Sequence, residues 1–183
     1  MKSLLNFTLS LVVTSLMTMN IYAADQAPQT VGYVDIQKYM GTWYEIAKFP
    51  AWFQNKCAAT RAIYSLQSNG TVAVKNQCID INNPSYTREA NGTAFVDDKT
   101  TNAKLKVSFV PLLQVFGWFA GDYWILALGE DYQFVLVGSP DRNYLWFLSR
   151  SKEMDPQIFE ELKDIAIREG FDLSRLTLTK KWP

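Results

Sequence analysis

The sequence predicts an all-β domain, a barrel or a sandwich, with a single helix close to its C-terminal end. Short segments of alternating apolar residues recur from Gly41 onward with tight turns between them, the pattern of many short antiparallel strands. Asn69-Gly70 stands between two of these segments, and Asn-Gly in that position signals a hairpin. Only Asp155 to Gly170 has clear helical spacing. At 183 residues, with no internal repeat and no linker, the chain reads as one domain.

Residues 1–23 read as a secretory signal peptide. Lys2 supplies a positive start, Leu4 to Met19 is apolar but diluted by Thr and Ser, and Ile21-Tyr22-Ala23 puts a small residue at the cut. Cleavage is expected before Ala24, leaving 24–183 as the folded domain. Such a protein is exported: periplasmic or outer-membrane-associated in a bacterium, secreted otherwise. The leader is too polar for a membrane span, and no cysteine lies at the cut to carry a lipid anchor.

Asp35 is placed to cap a short helical turn through Ile36, Tyr39 and Met40. Trp43, Glu45, Ala47 and Phe49 then alternate with Tyr44, Ile46 and Lys48, which predicts a strand with the first set on its inner face. Ala62, Tyr64 and Leu66 share a face on one side of Asn69-Gly70, Val72 and Val74 on the other. Pairing Leu66 with Val72 also pairs Tyr64 with Val74 and Ala62 with Asn76. A strand near Arg88–Val96 leaves its inner face open, whereas Leu105, Val107 and Phe109 alternate cleanly with Lys104, Lys106 and Ser108. Tyr123–Leu128, Gln133–Val137 and Tyr144–Ser149 are nearly continuous apolar runs. The helix takes Asp155 as cap, Pro156 at its first position and Gly170 as its stop, with Ile158, Leu162, Ile165 and Ala166 as its buried stripe. Leu176–Thr179 returns as a last strand.

Composition removes several function classes. Lys and Arg number 18, as do Asp and Glu, so no basic excess exists to displace counterions from nucleic acid. Histidine is absent, which removes the usual general base and metal ligand. With two cysteines as well, a zinc site is not expected. No cofactor is implied.

Gly41-Thr42-Trp43-Tyr44-Glu45-Ile46-Ala47 resembles the first lipocalin motif. Ser139-Pro140-Asp141-Arg142-Asn143-Tyr144-Leu145-Trp146-Phe147-Leu148-Ser149-Arg150 resembles the second and third motifs run together. Phe49-Pro50 with Phe53-Gln54, Tyr64-Ser65-Leu66, Lys106-Val107-Ser108-Phe109 and Arg168-Glu169-Gly170-Phe171-Asp172 are similar to the bacterial and apolipoprotein D-like branch of that family. The resemblance covers nearly all of the chain after the leader. It implies an eight-stranded antiparallel up-and-down β-barrel with the C-terminal helix packed outside. It also implies a cavity for a small lipophilic ligand, a fatty acid or lysophospholipid, and a place at the outer membrane. The missing lipidation cysteine departs from many bacterial relatives.

Trp43 and Arg150 are expected to meet at one end of the barrel. A guanidinium over an indole is worth roughly 0.5–2 kcal/mol, and with Gly41 the pair would form a closed floor. If Arg150 faces inward, alternation places Tyr144, Trp146 and Leu148 on that face. Tyr64, Val74, Leu105, Val107, Phe109, Trp124, Tyr144 and Trp146 are the candidate ligand-binding residues, Trp124 resting also on the family's Trp-Ile-Leu-Ala stretch. Pro111 to Phe119 is apolar enough to be a gate or a membrane-touching lip at the open mouth, with Phe116, Trp118 and Phe119 as its contacts. In an exported protein Cys57 and Cys78 are expected to pair. The hairpin register sets Cys78 opposite Thr60, so Cys57 has to curl back to reach it. Glu45, inward by alternation, is read as a hydrogen-bond partner for the barrel base. The function expected is binding, storage or transport of a lipid. The rivals are an enzyme using Cys57 or Glu45, and a structural partner of the outer membrane.

Overall fold

A computed structural model describes residues 26–110 and 120–183. The leader, its cleavage site and the proposed contacts Phe116, Trp118 and Phe119 lie outside the described residues. Eight strands follow a one-turn helix α1 (Ile36–Tyr39): β1 (Gly41–Lys48), β2 (Cys57–Leu66), β3 (Val72–Asp80), β4 (Thr87–Val96), β5 (Lys104–Ser108), β6 (Gly121–Leu128), β7 (Phe134–Gly138) and β8 (Leu145–Ser149). Each pairs antiparallel with the next, and β1 pairs with both β2 and β8, so the sheet closes on itself. Helix α2 (Pro156–Arg168) and a two-residue strand β9 (Thr177–Leu178) complete the chain.

Local chemistry accounts for these boundaries. The Asp35 carboxylate accepts from the Gln37 and Lys38 backbone N–H groups, capping α1. Asp155 does the same for α2 through Gln157 N–H at 2.7 Å. The β2–β3 register is the one that the alternation predicts, Leu66 facing Val72, Tyr64 facing Val74 and Ala62 facing Asn76. The turn between them holds Gly70 at a φ of +82°, a conformation that glycine adopts without steric cost.

Two apolar clusters lie on the two sides of the barrel wall. The inner one contains Trp43, Ala62, Tyr64, Val72, Val74, Leu105, Ile125, Val137 and Leu148, with Val107, Tyr123 and Trp146 against it. The outer one joins Ala47, Phe49, Leu126, Leu136, Leu145 and Phe147 to Leu162, Ala166 and Phe171, with Ile158 and Ile165 of the helix against it. Helix α2 therefore packs outside through the expected stripe. The strands beneath it are apolar on both faces because both faces are covered, which is why alternation fails along β6, β7 and β8.

One register change matters for the site. A β-bulge falls between Glu45 and Ala47, so that Glu45 faces Leu148, Ala47 faces Phe147 and Lys48 faces Trp146. The expectation that Ala47 and Phe49 continue the inner face is corrected here: the extra residue turns both to the outer cluster and brings Lys48 onto the inner face.

Candidate functional site

The closed end is built around the expected pair. The Arg150 guanidinium carbon lies 3.9 Å from the centroid of the Trp43 ring. Arg150 also donates to the carbonyls of Thr42 (3.0 Å), Lys38 (2.9 Å), Tyr39 (3.1 Å) and Tyr132 (3.2 Å), tying β1, α1 and the β6–β7 turn together. Trp43 Nε1 donates to the Tyr39 carbonyl at 2.9 Å. Gly41 has a φ of +99°, and a Cβ there would stand 3.2 Å from Arg150 Nη1. Burial draws the Arg150 guanidinium below its usual pKa, with the phenols of Tyr39, Tyr123 and Tyr64 acting in the opposite sense.

Above this floor three phenols converge. Tyr39 and Tyr123 share a hydrogen bond of 2.7 Å, and Tyr64 donates to Tyr123 at 3.2 Å. Burial raises all three hydroxyls well above the ordinary phenol pKa, so they are neutral donors. Three O–H groups make two bonds between them, leaving one donor directed at its surroundings. Beside them is a cavity of about 20 Å³, lined by Ile36, Met40, Leu105, Val107 and the tyrosines among others. That is room for about one water molecule.

The structure brings most of the candidate residues to this interior. Tyr64, Val74, Leu105 and Val107 line its lower half, and Trp146 lies higher on β8. Tyr144 stacks on Trp146 with centroids 5.7 Å apart and planes 7° apart, and meets Phe53 at 5.7 Å. Phe109 is half-exposed at the open end, its ring within 3 Å of where a Cβ on the inner-facing Gly92 would stand.

Trp124 is a correction. It belongs to the outer cluster, with Lys104 Nζ 4.3 Å from its ring centroid. Its neighbour Tyr123 takes the inner position instead. The run Tyr123–Leu128 is apolar on both faces, but a signal was present one residue earlier. Asp122 pairs with the outward Lys106 at 2.6 Å, which forces Trp124 outward too. Tyr39, Tyr123, Lys48 and Gln54 are interior residues that sequence reasoning did not select.

Glu45 is inward and buried, as expected, but its partners are not at the base. It accepts from Gln54 Nε2 (2.9 Å) in the β1–β2 connection and from Thr179 Oγ1 (2.6 Å) just beyond β9, and lies 3.2 Å from Lys48 Nζ. Gln54 in turn accepts from the Trp146 indole N–H at 3.2 Å. Thr179 reaches this point because β1 and β2 part company above Tyr44 and Arg61. The C-terminal segment fills the gap, with Thr179 N–H bonded to Ile46 O and Lys180 N–H to Ala58 O.

Cys57 and Cys78 form the expected disulfide, with Cα atoms 5.4 Å apart. Cys78 does face Thr60, and a bulge between Cys57 and Ala59 moves Cys57 opposite Asp80, which supplies the required curl. At the end of the barrel away from Arg150, Trp52 (78% exposed), Phe53, Ile81, Tyr86, Phe109 and Val110 are exposed apolar side chains on three connections of the same side. Among the described residues no group of three or more acidic, Cys or His side chains could hold a metal, and no helix is long and apolar enough to cross a membrane.

Comparison with known proteins agrees with this architecture. Residues 34–181 match the model of the Lipocalin-like domain family. The chain is 39% identical over 158 residues to Temperature-induced lipocalin-1 of Arabidopsis thaliana, covering 82% of this chain and 81% of that one. It is 38% identical over 145 residues to Outer membrane lipoprotein Blc of Escherichia coli strain K12, covering 79% and 78%. Lobster apocrustacyanin A1 superimposes with a TM-score of 0.64 at 18% identity, covering 86% of this chain and 92% of that one, a likeness of fold alone.

Proposed function

This chain belongs to the lipocalin family, and from that premise we propose that it binds a fatty acid or lysophospholipid inside its barrel and stores or carries it outside the cytoplasm. Members of the family bind small hydrophobic ligands. The observation that carries the reading is an interior walled by Tyr64, Val74, Leu105, Val107 and Trp146, between a pinned floor and an end ringed by exposed apolar side chains. Each CH₂ buried there contributes about 0.8 kcal/mol, so chain length dominates affinity. Because the cavity beside the tyrosines is about 20 Å³, an acyl chain has to move the lining, and Met40, Leu105 and Val107 are the side chains placed to give way.

Binding without chemistry is favoured over catalysis by two facts. Cys57 has no free thiol, being bonded to Cys78, and the Glu45 carboxylate is engaged by Gln54, Thr179 and Lys48. The leader and the likeness to an outer membrane lipoprotein support export, cleavage before Ala24 and a role in upkeep of the cell envelope. The apolar rim favours a second role alongside the first, peripheral contact with a lipid surface during ligand uptake.

Native mass spectrometry of residues 24–183, followed by lipid extraction and fatty-acid titration of tryptophan fluorescence, tests the binding. A bound acyl species and a saturable response are expected. A protein that carries no lipid and whose fluorescence ignores fatty acids is not a lipid carrier.

A further inference from the structure

Lys48 is a buried cation that pairs with the buried Glu45 without reaching hydrogen-bond geometry. Its inner-face position comes from the β1 bulge, and its ammonium is buried with no hydrogen-bond acceptor in bonding geometry. Glu45 lies 3.2 Å away and balances the charge, but both Glu45 oxygens are already engaged, one by Thr179 and one by Gln54. A second buried donor without a partner, Thr60 Oγ1, stands on the adjoining strand. Thr60 lies on β2 just beyond Arg61, where β1 and β2 have separated and the C-terminal segment runs between them. Leaving an ammonium buried without acceptors is costly, and among the described residues Glu45 alone stands as a charged neighbour.

We propose that Lys48 is the subsite for the anionic oxygen head of a single-chain lipid, a carboxylate or a phosphate, with the acyl chain running down toward Leu105, Val107 and Tyr64. An anion satisfies the ammonium better than a neutral oxygen because charge-assisted bonds are roughly twice as strong. Glu45, held by Gln54 and Thr179, acts as the fixed counter-ion that keeps Lys48 in place when the ligand is absent. Trp146, whose indole N–H bonds Gln54, forms the wall beside the head. The inference rests on the lipid-binding reading above and adds the orientation and the head-group class.

The test compares hexadecanoic acid, hexadecyl phosphate and hexadecan-1-ol, which share one chain, by tryptophan quenching on the protein of residues 24–183. The wild type is expected to bind the acid or the phosphate at least about tenfold more tightly than the alcohol, and whichever anion binds better identifies the head. Lys48→Met should bring the anion close to the alcohol without weakening the alcohol. The double variant Glu45→Gln/Lys48→Met, which removes both charges of this pair, should behave like Lys48→Met and guards against misfolding of the single variant. Anion preference that survives in both overturns the subsite. Equal binding of all three probes by the wild type overturns the subsite but leaves lipid binding standing, whereas binding of none overturns both.

Discussion

Arg150 illustrates how one side chain can tie separate segments of a fold together. It covers Trp43 and caps carbonyls from three separate segments, all at the closed end. Arg150→Ala removes the cation–π contact and strips those carbonyls of their donor, a loss of about 3 kcal/mol. In a domain of this size that is a fall in Tm of ~6–12 °C, while affinity for hexadecanoic acid should change by less than about threefold. Calorimetry beside a fluorescence titration checks both, and a variant that loses ligand but keeps its Tm would place Arg150 in the binding site. The Trp43–Arg150 pair was legible in the sequence because its two members sit in motifs and have a specific chemical reason to meet. Tyr123 and Lys48 were not. The first sits in a strand apolar on both faces, and the second is moved inward by a bulge that no residue pattern announces.

At the scale of the element, β2 and β3 show the same division. Their register follows from alternating apolar residues around Asn69-Gly70, since a slip by one residue would turn Tyr64 and Val74 out of the core. The bulge at Cys57 was visible only as a geometric demand, that a cysteine so placed had to curl back. The disulfide joins the open ends of these strands, beside Asp80, whose carboxyl is held below its usual pKa chiefly by the Asn82 backbone N–H and also by Arg88. Replacing both cysteines by serine should cost about 3 kcal/mol in the chain-entropy view, read as a lower denaturant midpoint with the slope little changed. An unaltered midpoint would mean that β2 and β3 are fully determined without the bridge. The inner face of β4 stayed open to the sequence for a different reason: Gly92 and Ala94 are too small to mark a side.

The two ends of the barrel differ, with carbonyls gathered on Arg150 at one and most of the exposed aromatics at the other. Among the described residues the exposed Trp52 and Phe53, and the Ile81, Tyr86, Phe109 and Val110 that share their end, face the direction from which a ligand would enter. Trp52→Ser/Phe53→Ser should weaken partition onto phospholipid vesicles by about tenfold or more if the rim enters the lipid, measured by sedimentation with ligand binding in free solution as the control. Unchanged partition would free the rim of that role. The all-β class and the position of the helix could be read from repeated patterns, whereas alternation left barrel and sandwich open and closure was implied by the family resemblance. The polar interior depends on single register changes and on a C-terminal segment whose destination no local pattern reveals.

The arrangement of β1 also bears on the order in which the protein can be made. The first strand to leave the ribosome finds β2 at once, but its other neighbour, β8, and the segment that closes its upper half, β9, are among the last parts synthesised. Until then β1 and the growing meander each keep an open edge, the feature that invites pairing with a neighbouring chain. A nascent or truncated copy that stops short of Thr177 would carry an unfinished seam beside Lys48 and Glu45, so loss of the last few residues is a route to aggregation.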